Sequence, residues 1–181
     1  MVYVFLANGF EDVEAVASID ILRRAGVKVT TVSITQNICV VSSHNIPMRT
    51  GVLFENCSFQ NVEAIVFPGG MGNAEGLSAH KGVKDLLFQY KNTDAYLAAI
   101  CASPMVFGKY NLLDDKKAVI YPGMESKLGK AIVQDGEMVV VDGNMVTGRG
   151  PAASIPFAFK IAELVKGPEA VKAVKKAMCF E

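Results

Sequence analysis

The sequence predicts an α/β protein built on a mostly parallel sheet, and three observations predict it. Short apolar runs of strand length recur along the chain. Segments with a helical apolar stripe lie between them, and glycine or proline marks the junctions. The length of 181 residues and a hydrophobic share of 51% suit one ordinary domain, residues 1–181, with a full core.

Val2 to Leu6 is a buried-strand run, broken by Asn8 and Gly9 before a helix opens at Glu11 and Asp12. That helix runs to about Ala25, with Val16, Ile19 and Leu22 on one stripe and Gly26 in the stop position. VKVTTVSI, residues 27–34, reads as the second strand. Residues 37–54 are rich in β-branched side chains and interrupted by Asn45-Ile46-Pro47 and Gly51, the pattern of a small hairpin excursion.

The alternation then resumes with AIVF at 64–67, a PGG turn, a helical region ending near Tyr90 and AYLAAI at 95–100. A helix is expected to open at Cys101-Ala-Ser-Pro. AVIY, KAIVQDG, EMVVVDGN and MVTG, between residues 118 and 148, are further strand candidates, and two helices are expected from Ala152 and Pro168. The sequence shows no internal repeat, linker or low-complexity tract.

Eighteen Lys and Arg balance eighteen Asp and Glu, so no strong positive field would attract nucleic acid or an anionic membrane. A small molecule or a protein is the expected partner. The first residues carry neither the basic flank nor the apolar length of a signal peptide or membrane span. Cys39, Cys57, Cys101 and Cys179 form no CxxC pair. Zinc and thioredoxin-type chemistry therefore lack support, no metal or cofactor is expected, and a reducing cytoplasm with free thiols is the expected location.

In an open parallel sheet, ligands bind beyond the carboxyl ends of the strands, where every strand-to-helix loop converges. Four such loops are legible: ANGFEDVE, PGGMGNAEG, CASP and RGPAAS. Only one holds a thiol. Cys101 follows an apolar strand and precedes Pro104, which suits the first turn of a helix, so a helix dipole is expected to favour its thiolate. The small residues Ala98, Ala99 and Ala102 allow the crowding of a nucleophile elbow. A buried structural cysteine is the alternative reading of the same residues.

Gly69 and Gly70 can present successive N–H groups to an anion or oxyanion, or form a plain turn. Glu14 shares a helical line with Ser18, Ile21 and Ala25, which can turn its carboxyl inward, raise its pKa and let it donate to a sulfur anion. The alternative is an ordinary first-turn glutamate favoured by the dipole. The two histidines, His44 and His80, lie off the post-strand junctions, so no Cys-His dyad is visible.

LANGFEDVEA, RRAGVKVT, VFPGG, AAICASP and TGRGPAAS occur in an order and spacing that resembles the DJ-1/PfpI (ThiJ/PfpI) superfamily. The resemblance spans nearly the whole chain. It implies a three-layer αβα sandwich of the flavodoxin-like, class I glutamine amidotransferase-like type. It also implies that Cys101 is the elbow cysteine, readily oxidised to sulfinate, that Glu14 is the protonated partner, and that Gly70 and Ala102 supply oxyanion-type N–H groups. Arg24 and His44 fall where relatives place basic residues near the thiol pocket, and His44 would make anion binding pH-dependent.

The chain departs from the family at histidine. Tyr121 in AVIYPGM stands where DJ-1-like members carry one, and Ala102 stands where PfpI-type proteases do. A phenol is a poor base at neutral pH, which argues against peptidase chemistry. The resemblance thus implies a cytoplasmic homodimer that senses oxidants or acts on reactive carbonyls by glyoxalase or deglycase chemistry. The alternatives are an amidase-like or protease-like hydrolase and a non-catalytic binding or chaperone module.

Overall fold

Strand β1 (Val2–Leu6) is buried along all five residues, as a strand covered by helices on both faces must be. The structure is a computed structural model and describes residues 1–180. After β1, Gly9 turns the chain at φ +80°, and α1 (Asp12–Arg24) begins with the Glu11 carboxylate accepting from the Glu14 N–H at 2.8 Å. β2 (Val29–Ser33) pairs with β1 in parallel. The predicted excursion is a hairpin of β3 (Cys39–Val41) and β4 (Pro47–Arg49), after which β5 (Val52–Leu53) rejoins the main sheet beside β2.

β6 (Ala64–Phe67) follows, and the helical region after it is divided at His80 into α2 (Met71–Ala79) and α3 (Lys81–Tyr90). His80 Nδ1 accepts from the Val83 N–H at 3.2 Å, so this histidine is a helix cap. β7 (Tyr96–Ile100) leads to α4 (Pro104–Lys109). Then come β8 (Lys117–Ala118), β9 (Ile132–Val133), β10 (Val139–Asp142), β11 (Met145–Gly148), α5 (Ser154–Lys166) and α6 (Pro168–Ala177).

The main sheet has the order β10-β11-β7-β6-β1-β2-β5, parallel throughout except for the β10–β11 hairpin. Alternate residues of each strand face opposite layers. Val2, Val4 and Leu6 pack with Ile21 and Leu22 of α1, Phe157 and Ile161 of α5 and Val174 of α6. Tyr3 and Phe5 pack with Leu77, Leu87 and Phe107 of α2, α3 and α4. This is the αβα sandwich. Fully burying a side chain such as Phe67 or Phe157 contributes roughly 2–3 kcal/mol of transfer free energy, and these two layers hold the strand ends in place.

Two expectations need correction. In AVIY only Ala118 belongs to a strand, because the next backbone donors are diverted: the Val119 N–H goes to Thr147 Oγ1 at 3.0 Å and the Tyr121 N–H to the Cys101 carbonyl at 3.0 Å. The helix expected at Cys101 begins three residues later, at Pro104, after a tight turn.

Candidate active site

Connectivity reverses around β1, which has β2 on one side and β6 on the other. Loops leaving neighbouring strands in opposite directions open a crevice at the carboxyl edge of the sheet. The loops after β1, β6 and β7 fill it here.

Cys101 takes φ +62°, a left-handed conformation rare for a side chain larger than glycine. It is held there from both sides: its N–H donates to the Gly148 carbonyl at 2.9 Å, and its carbonyl accepts from the Tyr121 N–H. A strained residue fixed by its surroundings marks a place where orientation matters. Its side chain is 8% exposed, and the N–H groups of Gly70 and Ala102 are directed at the sulfur.

Glu14 points inward from the first turn of α1 and is fully buried. Its Oε2 accepts from the Gly69 N–H at 2.7 Å, while Oε1 is buried with no partner among the described residues. Burial pushes this carboxyl up to about 7, against the Gly69 hydrogen bond, and the Glu11 charge adds to the rise. A carboxyl with an unpartnered buried oxygen is better satisfied when protonated, because it then donates a hydrogen bond of its own.

Burial and the Glu14 charge push the Cys101 thiol up to about 12, overriding the two N–H groups that favour thiolate. The expected lowering by a helix dipole is thus corrected. α4 has only six residues and starts beyond Ser103, so its dipole is small and misplaced. Cys101 and Glu14 instead form one coupled unit in which two adjacent negative charges are disfavoured.

The glycines divide the work differently from the expectation. The Gly69 N–H serves Glu14, so Gly69 is not a free oxyanion donor, whereas the Gly70 N–H faces the sulfur. A Cβ on Gly69 would lie 2.4 Å from Cys101 Cβ and 2.5 Å from Glu14 Oε2. One on Gly70, at φ +85°, would lie 2.1 Å from the Gly9 carbonyl oxygen. No other residue fits either position.

Of the accessory residues, Tyr121 is joined to Cys101 through the backbone. Its half-exposed side chain walls a groove of about 180 Å³ with Pro122, Met138, Arg149 and Pro151. His44 stands at the rim with its Nδ1 2.6 Å from Asp12 Oδ2. Glu11, Asp12 and His44 bring carboxylate and imidazole atoms within 4.8 Å of one another at that rim, a cluster held by the Asp12–His44 contact. Arg24 is not brought to the site. It pairs with Asp20 at 2.7 Å, ten residues and about 15 Å along α1 from Glu14.

Sequence reasoning missed Asn73 and Ser103, both fully buried and both hydrogen-bonded to the Pro68 carbonyl. A polar side chain beside each junction was the available signal, but local sequence does not distinguish a buried asparagine or serine from a solvated one.

Known proteins share this arrangement of chain. The chain is 34% identical to protein dj-1beta of Drosophila melanogaster over 97% of its own length and 94% of that protein's. The crystal structure of that relative superposes with a TM-score of 0.94 over 98% of this chain and 96% of its own. "Toxoplasma gondii DJ-1, oxidized" superposes at 0.93 with 32% identity, covering 98% and 97% of the two chains. Protein DJ-1 homolog B of Arabidopsis thaliana is 36% identical over 97% of this chain, which spans 40% of that longer protein. With the sequence profile of one family matching residues 1–164 and the backbone agreeing nearly end to end, the chain belongs to the DJ-1/PfpI family.

Proposed function

We propose that this protein uses Cys101 as an oxidation-prone nucleophile in the response to oxidants or reactive carbonyl compounds, with Glu14 as its proton partner. The observation that carries this reading is the fully buried Glu14 carboxyl set against the Cys101 sulfur, itself held at φ +62° under two N–H groups. The solved relative described as oxidized supports it by analogy.

Moving the thiol proton to the Glu14 carboxylate leaves a sulfur anion whose charge is met by the Gly70 and Ala102 N–H groups and by the new carboxyl O–H. That anion attacks one oxygen of a peroxide: an S–O bond forms, the O–O bond breaks, and the departing hydroxide takes the Glu14 proton to become water, after which the sulfenic acid returns a proton to Glu14 and becomes sulfenate. A second peroxide carries sulfenate to sulfinate, whose oxygens meet the same donors. Toward an aldehyde the sulfur forms a C–S bond, and the carbonyl π pair moves to oxygen, which takes the Glu14 proton.

A hydrolase needs a base that returns a proton to a leaving group, and Tyr121 is poorly suited to that task. The reading also implies a cytoplasmic homodimer. No helix among the described residues is long and apolar enough to cross a membrane. Val13 and Val16 lie exposed on α1 beside Ile155 of α5, an apolar face suited to a second copy, and light scattering reads that state.

The test is peroxide titration with peptide mass mapping, together with methylglyoxal turnover. Cys101 is expected to gain two oxygens before Cys39 and Cys179 react, although both of those thiols are exposed. Cys101→Ser is expected to remove any turnover. Equal oxidation of all four cysteines with turnover intact in Cys101→Ser would overturn the reading.

A further inference from the structure

One peptide unit, Pro68–Gly69, sits where the three loops meet, and it is gripped at both ends. Its carbonyl oxygen accepts from Ser103 Oγ at 2.6 Å and from Asn73 Nδ2 at 2.7 Å. Its N–H, on the opposite edge of the same plane, is the donor to Glu14 Oε2 at 2.7 Å. Asn73 Oδ1 in turn accepts from the Ala7 N–H at 2.6 Å, tying in the end of β1. All of these hydrogen bonds are buried.

We propose that Ser103 and Asn73 are positioning residues that lock the Pro68–Gly69 peptide so that its N–H faces Glu14 and the next N–H faces the Cys101 sulfur. This rests on the reading of Cys101 and Glu14 as the reacting pair and assigns the residues that set their geometry.

The physical need is specific. The Pro68–Gly69 peptide turns about Pro68 ψ and Gly69 φ, and Gly69 has no side chain to bias its half of that rotation. A rotated Pro68–Gly69 unit would aim its carbonyl oxygen at Glu14 and withdraw the N–H. Two side-chain donors on that carbonyl favour one orientation, since an N–H or O–H can only donate to the oxygen end. They also polarise the peptide, which strengthens the bond its N–H makes.

Ser103 is free for this task because it does not cap α4: its side chain makes no bond to that helix and reaches across to the turn after β6. The charged and titratable groups that bear on Glu14 are Glu11 at the start of its own helix and Cys101 from the turn after β7. The Asp12–His44 pair lies on the rim.

The test follows the Glu14 carboxyl carbon by NMR in protein labelled at glutamate, as pH is varied, in the wild type, Ser103→Ala and Asn73→Ser. A weaker Gly69 bond disfavours the charged carboxylate, so the midpoint is expected to rise by roughly half a pH unit in each variant. Ser154→Ala is the matched control. Ser154 Oγ donates to the Pro151 carbonyl three residues earlier at 2.6 Å, a serine-to-carbonyl bond of the same length in another loop, and its loss is expected to leave the midpoint unmoved.

An unchanged midpoint in folded Ser103→Ala overturns the proposal, and so does an equal rise in the control. Should Asn73→Ser not fold, Ser103→Ala alone decides. The titration uses neither oxidant nor carbonyl compound, so it stands or falls separately from the peroxide test of Cys101.

Discussion

Asp12 and Glu14 stand two residues apart in the first turn of α1 and titrate in opposite directions. Burial pushes Asp12 up, but hydrogen bonds from the 42–44 turn, its own backbone and the His44 charge outweigh it, so its pKa falls below the usual carboxylate range. Glu14 has one backbone donor, no cation acting on it among the described residues and complete burial, and it rises to about 7. The helix dipole acts on both alike. What separates them is the face of the helix: one carboxylate is met by a histidine at the rim, and the other is enclosed beside a thiol.

The most disruptive way to break this comparison is to fill the enclosed side. Gly69→Ala places a methyl group on Cys101, Glu14 and the Ile100 carbonyl at once and is expected to cost more than about 3 kcal/mol, or to prevent folding. Gly26→Ala, where φ is +73° but the space is open, is expected to cost about 1 kcal/mol. Urea unfolding of the two variants reads the difference, and equal costs would mean that the enclosure is loose.

Glu14→Gln tests the burial directly. Because the native carboxyl titrates near 7 and an unfolded one near 4.5, the native state binds the extra proton between those values. The stabilisation is therefore complete below about pH 4.5, is lost as pH rises through 7, and amounts to about 3 kcal/mol. Unfolding free energies at pH 5 and pH 8 are expected to differ by nearly that amount in the wild type beyond the difference in Glu14→Gln. A matching pH dependence in the two would place Glu14 in contact with solvent.

The smallest effect belongs to the rim. Asp12 raises the His44 pKa first through its hydrogen bond and then through its charge. Asp12→Asn is accordingly expected to bring the imidazole midpoint down toward its ordinary value of 6.5 by NMR, leaving the Glu14 midpoint within roughly a tenth of a unit. A shift shared by both groups would show that the rim and the enclosed pair are one network.

Most of the architecture was legible because apolar runs and stripes report which surfaces must leave water. That logic placed β1, α1, β6 and β7. It failed at AVIY, where the composition suits a strand but Thr147 and the Cys101 carbonyl take the backbone donors, a competition between segments far apart in sequence. Arg24 was placed near the thiol by the family resemblance alone, and within this chain it pairs with Asp20, further along the helix that carries Glu14.

The residues themselves determined that a thiol would stand where a strand becomes a helix, with two glycines and a carboxyl at neighbouring junctions, because strand and helix periodicity are local properties. Only the tertiary structure decided which N–H serves which acceptor, why the thiol is raised and not lowered, and that Asn73 and Ser103 meet on one carbonyl. Hydrogen bonding and desolvation depend on what arrives from elsewhere in the chain, and no local window of sequence contains that information.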